Sequence, residues 1–144
     1  MKSVIRKIAI ENHASNYVLE WLHMNENKSD AWLYNNCIRP DWLVWWLRNS
    51  RVELPKETWV KIAEISAESC LGIFKKKHPK DSRPRKAIEA AKAWLANPAS
   101  ASAASAAAYA AAEAVDATTE AVDAVTSEKI RELVPWVLVA RLVK

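Results

Sequence analysis

The feature that most constrains the fold of this chain is an alanine-rich run over Ala99–Thr126, which passes into a seven-residue repeat. Glu113–Thr119 reads EAVDATT, and Glu120–Thr126 reads EAVDAVT. Alanine is the best helix former because its side chain loses no entropy in a helix, whereas a strand would leave these small side chains with little to bury. The run therefore predicts a helix, and Pro98 suits its first turn.

Two sets of residues in this run recur at three- and four-residue spacing. One set is apolar or small and forms the seam along which a helix packs, so we predict that this helix lies at the centre of a bundle; the seam also fits a dimer. The other set forms an acidic stripe, interpreted as a solvated or ion-paired face, with metal binding or acid–base chemistry as the alternative. The seam comprises Val115, Thr118, Val122 and Val125. The stripe comprises Glu113, Asp116, Glu120 and Asp123.

Composition extends the helical prediction to the whole chain. The 144 residues include a single glycine and six prolines, which is typical of an all-α chain with proline-marked boundaries. We predict one domain over residues 1–144, a bundle of about six to seven helices around the central one. Cys37 and Cys70 do not make a disulfide framework, so a reducing cytoplasm is the expected setting. The apolar run at the start of the chain is too short for a signal peptide, and no segment is apolar over the length that a membrane span requires.

Local patterns place several further helices. Near the start, four residues form a stripe that we predict faces the core: Tyr17, Val18, Trp21 and Leu22. Gly72 falls within a long helix predicted for Pro55–Lys77, where close packing against a neighbour would explain it. Ser127 with Glu128 is a candidate helix start. Trp136–Val143 is predicted as a final helix, with an extended tail as the alternative.

Three of the eight tryptophans stand together in Asp41–Arg48, which reads DWLVWWLR. Trp42, Trp45 and Trp46 occupy adjoining positions on one helical face. The first interpretation is that they are core residues, since each tryptophan buries a large apolar area. The second is that one or two are exposed as anchors of a protein interface. Stacking on nucleic-acid bases is a third, but it needs basic residues interleaved with the rings.

Charge is unevenly distributed along the chain. Residues 75–92 hold eight Lys or Arg against Asp81 and Glu89, whereas residues 93–128 contain neither Lys nor Arg. The basic segment Lys75–Lys86 is a candidate surface for nucleic acid or for an acidic protein, and it can equally satisfy the acidic stripe of the same molecule. Its candidate contact residues are Lys75, Lys76, Lys77, Lys80, Arg83 and Arg85.

The sequence contains none of the patterns that carry known chemistries. It has no nucleophile motif and no glycine-rich phosphate loop, and it does not cluster cysteine with histidine as metal sites do. The three histidines, His13, His23 and His78, are dispersed. We therefore predict that the protein is not an enzyme, with no catalytic residue, no metal and no cofactor.

Two segments resemble a family of small, alanine-rich helical proteins of bacteria and tailed phages that are labelled immunity proteins. Trp32…Cys37-Ile38-Arg39-Pro40-Asp41-Trp42-Leu43-Val44-Trp45 is similar to the family element W…C…GDWLLWL, with Pro40 in place of the usual glycine. Arg83–Trp94 is similar to the element RPRxAIEAARAW. The alanine-rich run and an Ile-Arg…Pro at Ile130–Pro135 follow in the same order, so the resemblance covers about residues 32–135.

The resemblance implies an all-helical domain that neutralises a toxin or defence effector by binding it. The positions that carry over are Asp41, Trp42, Arg83, Pro84 and Trp94, and no catalytic residue comes with them. We also expect Asp41 to contact Arg83 or Arg85 and so join two helix starts.

From the residues and the resemblance together, we predict a cytoplasmic, phage- or prophage-encoded inhibitor of immunity or anti-defence type, similar in action to anti-CRISPR proteins. It would occlude an effector: a toxin, a nuclease or a defence complex. The alternatives are a nucleic-acid-binding accessory protein that uses the basic segment, and a protein that sequesters a small ligand.

Overall fold

The computed structural model describes residues 3–97 and 124–142, and within these two ranges the chain forms eight helices and no strand. The all-α prediction is thus confirmed. In chain order the helices are α1 (Val4–Glu11), α2 (Asn16–Met24), α3 (Asp30–Asn36), α4 (Pro40–Asn49), α5 (Lys56–Lys77), α6 (Arg83–Ala96), α7 (Ala124–Leu133) and α8 (Trp136–Leu142). The alanine-rich run, its seam and its acidic stripe fall almost wholly at residues 98–123, outside the described residues.

Several helix starts follow directly from short polar side chains and from proline. The hydroxyl of Ser3 accepts a hydrogen bond from the Arg6 amide, and that of Ser29 accepts one from the Trp32 amide. These bonds satisfy backbone donors that the first turn of a helix leaves without a partner. Pro40 occupies the first turn of α4, where its missing N–H is not needed.

Asp30 holds the start of α3 against the start of α1. Its carboxylate accepts hydrogen bonds from the hydroxyl of Ser3 and, at 2.7 Å, from the backbone amide of Val4. Arg6 adds a second link, since its guanidinium donates to the carbonyl of Asn25 at 2.6 Å. Two helix starts that are 26 residues apart in the chain are therefore joined by charged hydrogen bonds.

The largest core cluster of the described residues draws on α1, α2, α3, α4, α5, α7 and α8, and three aromatic rings pack together within it. Tyr34 lies 5.7 Å from both Trp46 and Trp136, and the two tryptophans are 6.1 Å apart, measured between ring centres. The hydroxyl of the buried Tyr34 donates to the carbonyl of Val134 at 2.6 Å. Arg131 likewise donates to the carbonyl of Cys37 at 2.6 Å. The last two helices are thus fastened to α3 and to the link before α4.

Helix α5 packs against both α6 and α7, and its residues contribute to two clusters. Ile62 belongs to the large aromatic core, whereas Val60 packs with Ala91 and Trp94 of α6 in a small separate cluster. An ion pair between Lys92 and Glu68, 2.6 Å apart, adds a link between the two helices. Among the described residues, the α5–α6 pair therefore has a second cluster of its own.

Three expectations drawn from the sequence are corrected by the packing. Tyr17 does not face the core, since it is 77% exposed. Of the four predicted residues of α2, only Leu22 is buried, and Val18 and Trp21 are half-buried. Gly72 is exposed, and a Cβ added there would meet nothing within 4 Å, so close packing does not explain it. Ser127 is not a cap: it lies inside α7 and is fully buried, because α7 packs against both α4 and α5.

The end of the described chain is helical, as predicted for Trp136–Val143, with α8 ending at Leu142. Across residues 3–97 and 124–142, no helix combines the length and the apolar character that crossing a membrane requires.

Candidate protein-binding site

A small apolar pocket lies between α1, α2, α3 and α4. Its volume is about 40 Å³, and it is partly open to solvent. Aliphatic side chains from these helices form its floor, and aromatic rings form much of its wall. The aromatic lining residues are Trp21, Tyr34, Trp42, Trp45 and Trp46.

Two of these tryptophans connect α2 to α4 at the pocket. Trp21 and Trp42 meet edge to face, with ring centres 5.9 Å apart and planes at 61°. Both rings are half-buried, as is Trp45 one turn further along α4. Edge-to-face contact is a favoured geometry for aromatic pairs, so the two rings position one another while each stays partly exposed.

The apolar surface continues from the pocket along α2. Tyr17, Trp21 and Met24 stand at positions i, i+4 and i+7, which place them on one side of the helix. Tyr17 is 77% exposed and Met24 is 74% exposed. We call the set Tyr17, Trp21, Met24, Trp42 and Trp45 the aromatic surface. The sequence had pointed to Trp42 and Trp45, but the contribution of α2 was missed because its stripe had the spacing of a core face.

Trp46 does not belong to this surface, which corrects its place among the predicted contact residues. It is only 5% exposed, and its ring lies against Tyr34 and Trp136. Position 46 is one residue beyond position 45, a turn of about 100° around the helix. That rotation directs Trp46 toward α3 and α8, where it lines the pocket as a buried residue, and leaves Trp45 half-buried.

Arg39 and Asp41 lie beside the pocket at the start of α4. The guanidinium of Arg39 donates to both carboxylate oxygens of Asp41, at 2.9 Å and 2.7 Å. The guanidinium carbon also lies 5.2 Å from the ring centre of Trp42, a cation–π contact. The hydrogen bonds to Asp41 raise the pKa of the Arg39 guanidinium. Asp41 thus braces the cation that covers Trp42.

Of the contacts expected between Asp41 and Arg83 or Arg85, the one with Arg85 is not formed, and the one with Arg83 lies outside the described side chains. Asp41 pairs with Arg39, two residues before it, because the extended backbone at Arg39 brings the two side chains together. Arg85 is exposed and forms no ion pair within the described residues. The side chain of Arg83, and that of Pro84, lie outside what the structure describes.

The two ionisable groups in the pocket wall, Tyr34 and Cys37, already form hydrogen bonds. The Tyr34 hydroxyl donates to Val134, and the Cys37 thiol donates to the carbonyl of Arg39 at 3.5 Å. Burial raises the pKa of the Cys37 thiol to about 11 and raises the pKa of Tyr34 as well. Both groups are therefore neutral at physiological pH, so the pocket offers an apolar lining and no reactive anion.

A second candidate surface lies at the turn from α5 to α6. We call the exposed cations Lys75, Lys76, Lys80, Arg85 and Lys86 the basic surface. The side chains of Lys77 and Arg83, which the sequence also placed here, lie outside the described residues. Trp94, the last residue of the second family-like element, is buried in α6 against Val60, so its position there is structural.

Among the described residues, no three of the His, Cys, Asp and Glu side chains stand close enough together to hold a metal ion.

Comparison with known proteins adds the family. Residues 51–132, more than half of the chain, match the family model described as Imm-5 like putative immunity protein. The chain belongs to this family. The matched region contains the Arg83–Trp94 element. It begins after α4, so the first family-like element, Trp32–Trp45, lies outside it. No curated protein and no solved structure matches the chain.

Membership in the Imm-5 like family gives the function in general terms: an immunity protein acts by binding a partner protein. The matched region holds the basic surface, and the aromatic surface lies before it.

Proposed function

We propose that this chain is a non-catalytic, protein-binding inhibitor of immunity or anti-defence type. It covers the working surface of an effector, which is a toxin, a nuclease or a defence complex, and blocks it sterically, in the manner of an anti-CRISPR protein. In this proposal the protein is encoded by a phage or prophage and works in the cytoplasm. The family match supports binding of a partner protein, and the aromatic surface supports the way in which it binds.

The observation that carries the proposal is the exposure of large apolar side chains next to one another. Soluble proteins seldom leave a contiguous apolar patch in water unless another molecule covers it. Here Tyr17 and Met24 are each about three-quarters exposed on the same side of α2 as Trp21, whose ring contacts Trp42. Tryptophan and tyrosine are enriched among the residues that dominate binding energy in protein interfaces.

The size of the pocket favours an interface over an enzyme or a sequestering protein. Its volume of about 40 Å³ is well below the ~150 Å³ of an apolar cavity that holds benzene. Such a recess has room for part of one apolar side chain from a partner. The ionisable groups of its lining, Tyr34 and Cys37, already have hydrogen-bond partners, so the lining offers indole N–H groups but no free nucleophile or base.

The proposal is tested by size-exclusion chromatography with light scattering, on the protein alone and mixed with purified candidate toxins, nucleases and defence complexes. We expect a stable co-eluting species with one of them, and loss of that species with Tyr17→Glu or Met24→Glu. Both side chains are exposed, so the two substitutions should weaken the complex without unfolding the protein.

The matched control is Val137→Glu, which places the same charge at an exposed apolar residue of α8. We expect this variant to bind as the wild type does. If every candidate stays unbound, or if the complex forms equally well with all three variants, the proposal is wrong.

A further inference from the structure

The basic surface gathers five exposed cations within twelve residues of the chain, from Lys75 to Lys86. Several cations elsewhere in the described residues pair with carboxylates: Arg39 with Asp41, Lys61 with Glu64 at 2.9 Å, and Lys92 with Glu68. Within the part of the chain that the structure describes, none of the five cations of the basic surface forms an ion pair. They therefore concentrate positive charge at one turn.

Part of this charge is explained by helix stability, and part is not. Lys75 and Lys76 lie in the last turn of α5, where a cation interacts favourably with the negative end of the helix dipole. Arg85 lies in the first turn of α6, at the positive end, where a cation is unfavourable. That turn contains no acidic residue, and Ser82 provides no side-chain cap. The position of Arg85 thus costs stability, which is characteristic of residues kept for binding.

We propose that the basic surface binds an acidic segment of the effector protein. This deepens the proposed function, on which it rests, by naming the chemistry of the partner. Carboxylates of the effector would receive charge-assisted hydrogen bonds from Arg85 and the lysines, and the positive field would speed the encounter.

The surroundings of the basic surface favour a protein over nucleic acid. Glu89 is exposed one turn beyond Arg85 on the same side of α6, and Glu68 lies across from it on α5, paired with Lys92. These carboxylates would repel a long phosphate backbone running along the helix pair more than a short acidic segment that contacts only the turn. Binding to a duplex draws on many phosphate contacts, and binding to single strands draws on aromatic rings that stack with the bases. The basic surface has five cations and no aromatic member.

The test uses the intact protein and a fluorescein-labelled peptide of twelve alternating Asp and Glu residues, followed by fluorescence anisotropy at low and physiological salt. The comparison probes are the matching Asn and Gln peptide and a short DNA duplex. We expect the acidic peptide to bind, the neutral peptide not to bind, and the duplex to bind no more tightly than the acidic peptide. Arg85→Glu should lower the affinity for the acidic peptide about tenfold, as expected for the loss of one charge-assisted contact.

Lys129→Glu is the matched control, because Lys129 is an exposed cation inside α7 and the net charge changes equally. It should leave peptide binding within about twofold of the wild type, the range of a distant surface charge at physiological salt. Thermal unfolding provides the second readout. Arg85→Glu should unfold at the same temperature as the wild type or a higher one, because glutamate suits the first turn of a helix.

Three results would overturn the proposal: no binding of the acidic peptide, equal losses in Arg85→Glu and Lys129→Glu, or a duplex that binds more tightly than the peptide. A lower unfolding temperature for Arg85→Glu would also overturn it, by showing that Arg85 supports the fold. These failures are distinct from failure of the proposed function, since the peptide assay involves no effector and leaves the aromatic surface untouched.

Discussion

Two regions of the molecule bury their apolar side chains in different ways: the helices around the aromatic core, and the α5–α6 pair. In the first region, the rings of Tyr34, Trp46 and Trp136 pack together, and hydrogen bonds from Tyr34 and Arg131 tie distant segments to one another. In the second region, the separate core is a cluster centred on Val60, Ala91 and Trp94, and the turn beyond it carries exposed cations.

Tight packing and exposed charge lie in different regions of the molecule. Arg39, next to the aromatic core, is tied to Asp41 and lies over Trp42. Arg85, at the start of α6, is left in solvent at a helix end that disfavours it. The aromatic core supplies packing, and the α5–α6 turn presents charge at some expense in stability.

The largest effect should come from truncating a tryptophan in each region. Trp46→Ala should lower the free energy of unfolding by about 3–5 kcal/mol, because it empties a site enclosed by two other rings. Trp94→Ala should cost about 1 kcal/mol less than Trp46→Ala, because Trp46 loses two ring contacts and Trp94 forms no aromatic pair within the described residues. Urea denaturation of both variants measures the difference, and equal losses would remove the distinction between the two cores.

A smaller effect should appear at alkaline pH, and it belongs to the aromatic region. The Cys37 thiol loses its proton near its ordinary pKa of 9.0 in the unfolded chain but only near 11 in the folded one, because burial disfavours the thiolate. The unfolded state then releases a proton that the folded state keeps, so the free energy of unfolding falls as pH rises from 9 to 11.

The loss attributable to Cys37 over this window should be roughly 2 kcal/mol. Denaturant unfolding at pH 8, 9, 10 and 11 measures it, with Cys37→Ala as the comparison. The substitution should flatten the curve most around pH 10, midway between the two pKa values. The buried Tyr34 contributes in the same direction at higher pH, and it does so in both proteins. Parallel curves for the two proteins would contradict the assignment.

The smallest effect tests the α5–α6 pair and should be a gain. Gly72→Ala should raise the free energy of unfolding by up to about 1 kcal/mol, because glycine is a poor helix residue and the added methyl group enters open space. The reverse change on the same helix, Ala67→Gly, should cost a similar amount. Thermal or urea unfolding gives both values, and a destabilised Gly72→Ala would mean that the methyl group meets an obstacle.

Much of the local structure was predictable because its causes are local. Ser3 and Ser29 cap helices through bonds to residues three positions away, and Pro40 opens α4 through its own ring geometry. The candidate sites were predictable only in part. The exposed lysines of the basic surface followed from the run of charge, whereas Tyr17 and Met24 were missed because helical spacing does not show how wide a buried face is.

The sequence alone predicts that the chain is helical, where its helices lie and where its positive charge concentrates, since these properties depend on neighbours within one or two turns. Helix packing was needed to show that Trp46 is buried while Trp42 and Trp45 are half-buried, that Asp41 pairs with Arg39, and that Ser127 is buried inside α7. Burial is set by which helix faces meet. Those meetings join residues as far apart as Tyr34 and Val134, which no local pattern connects.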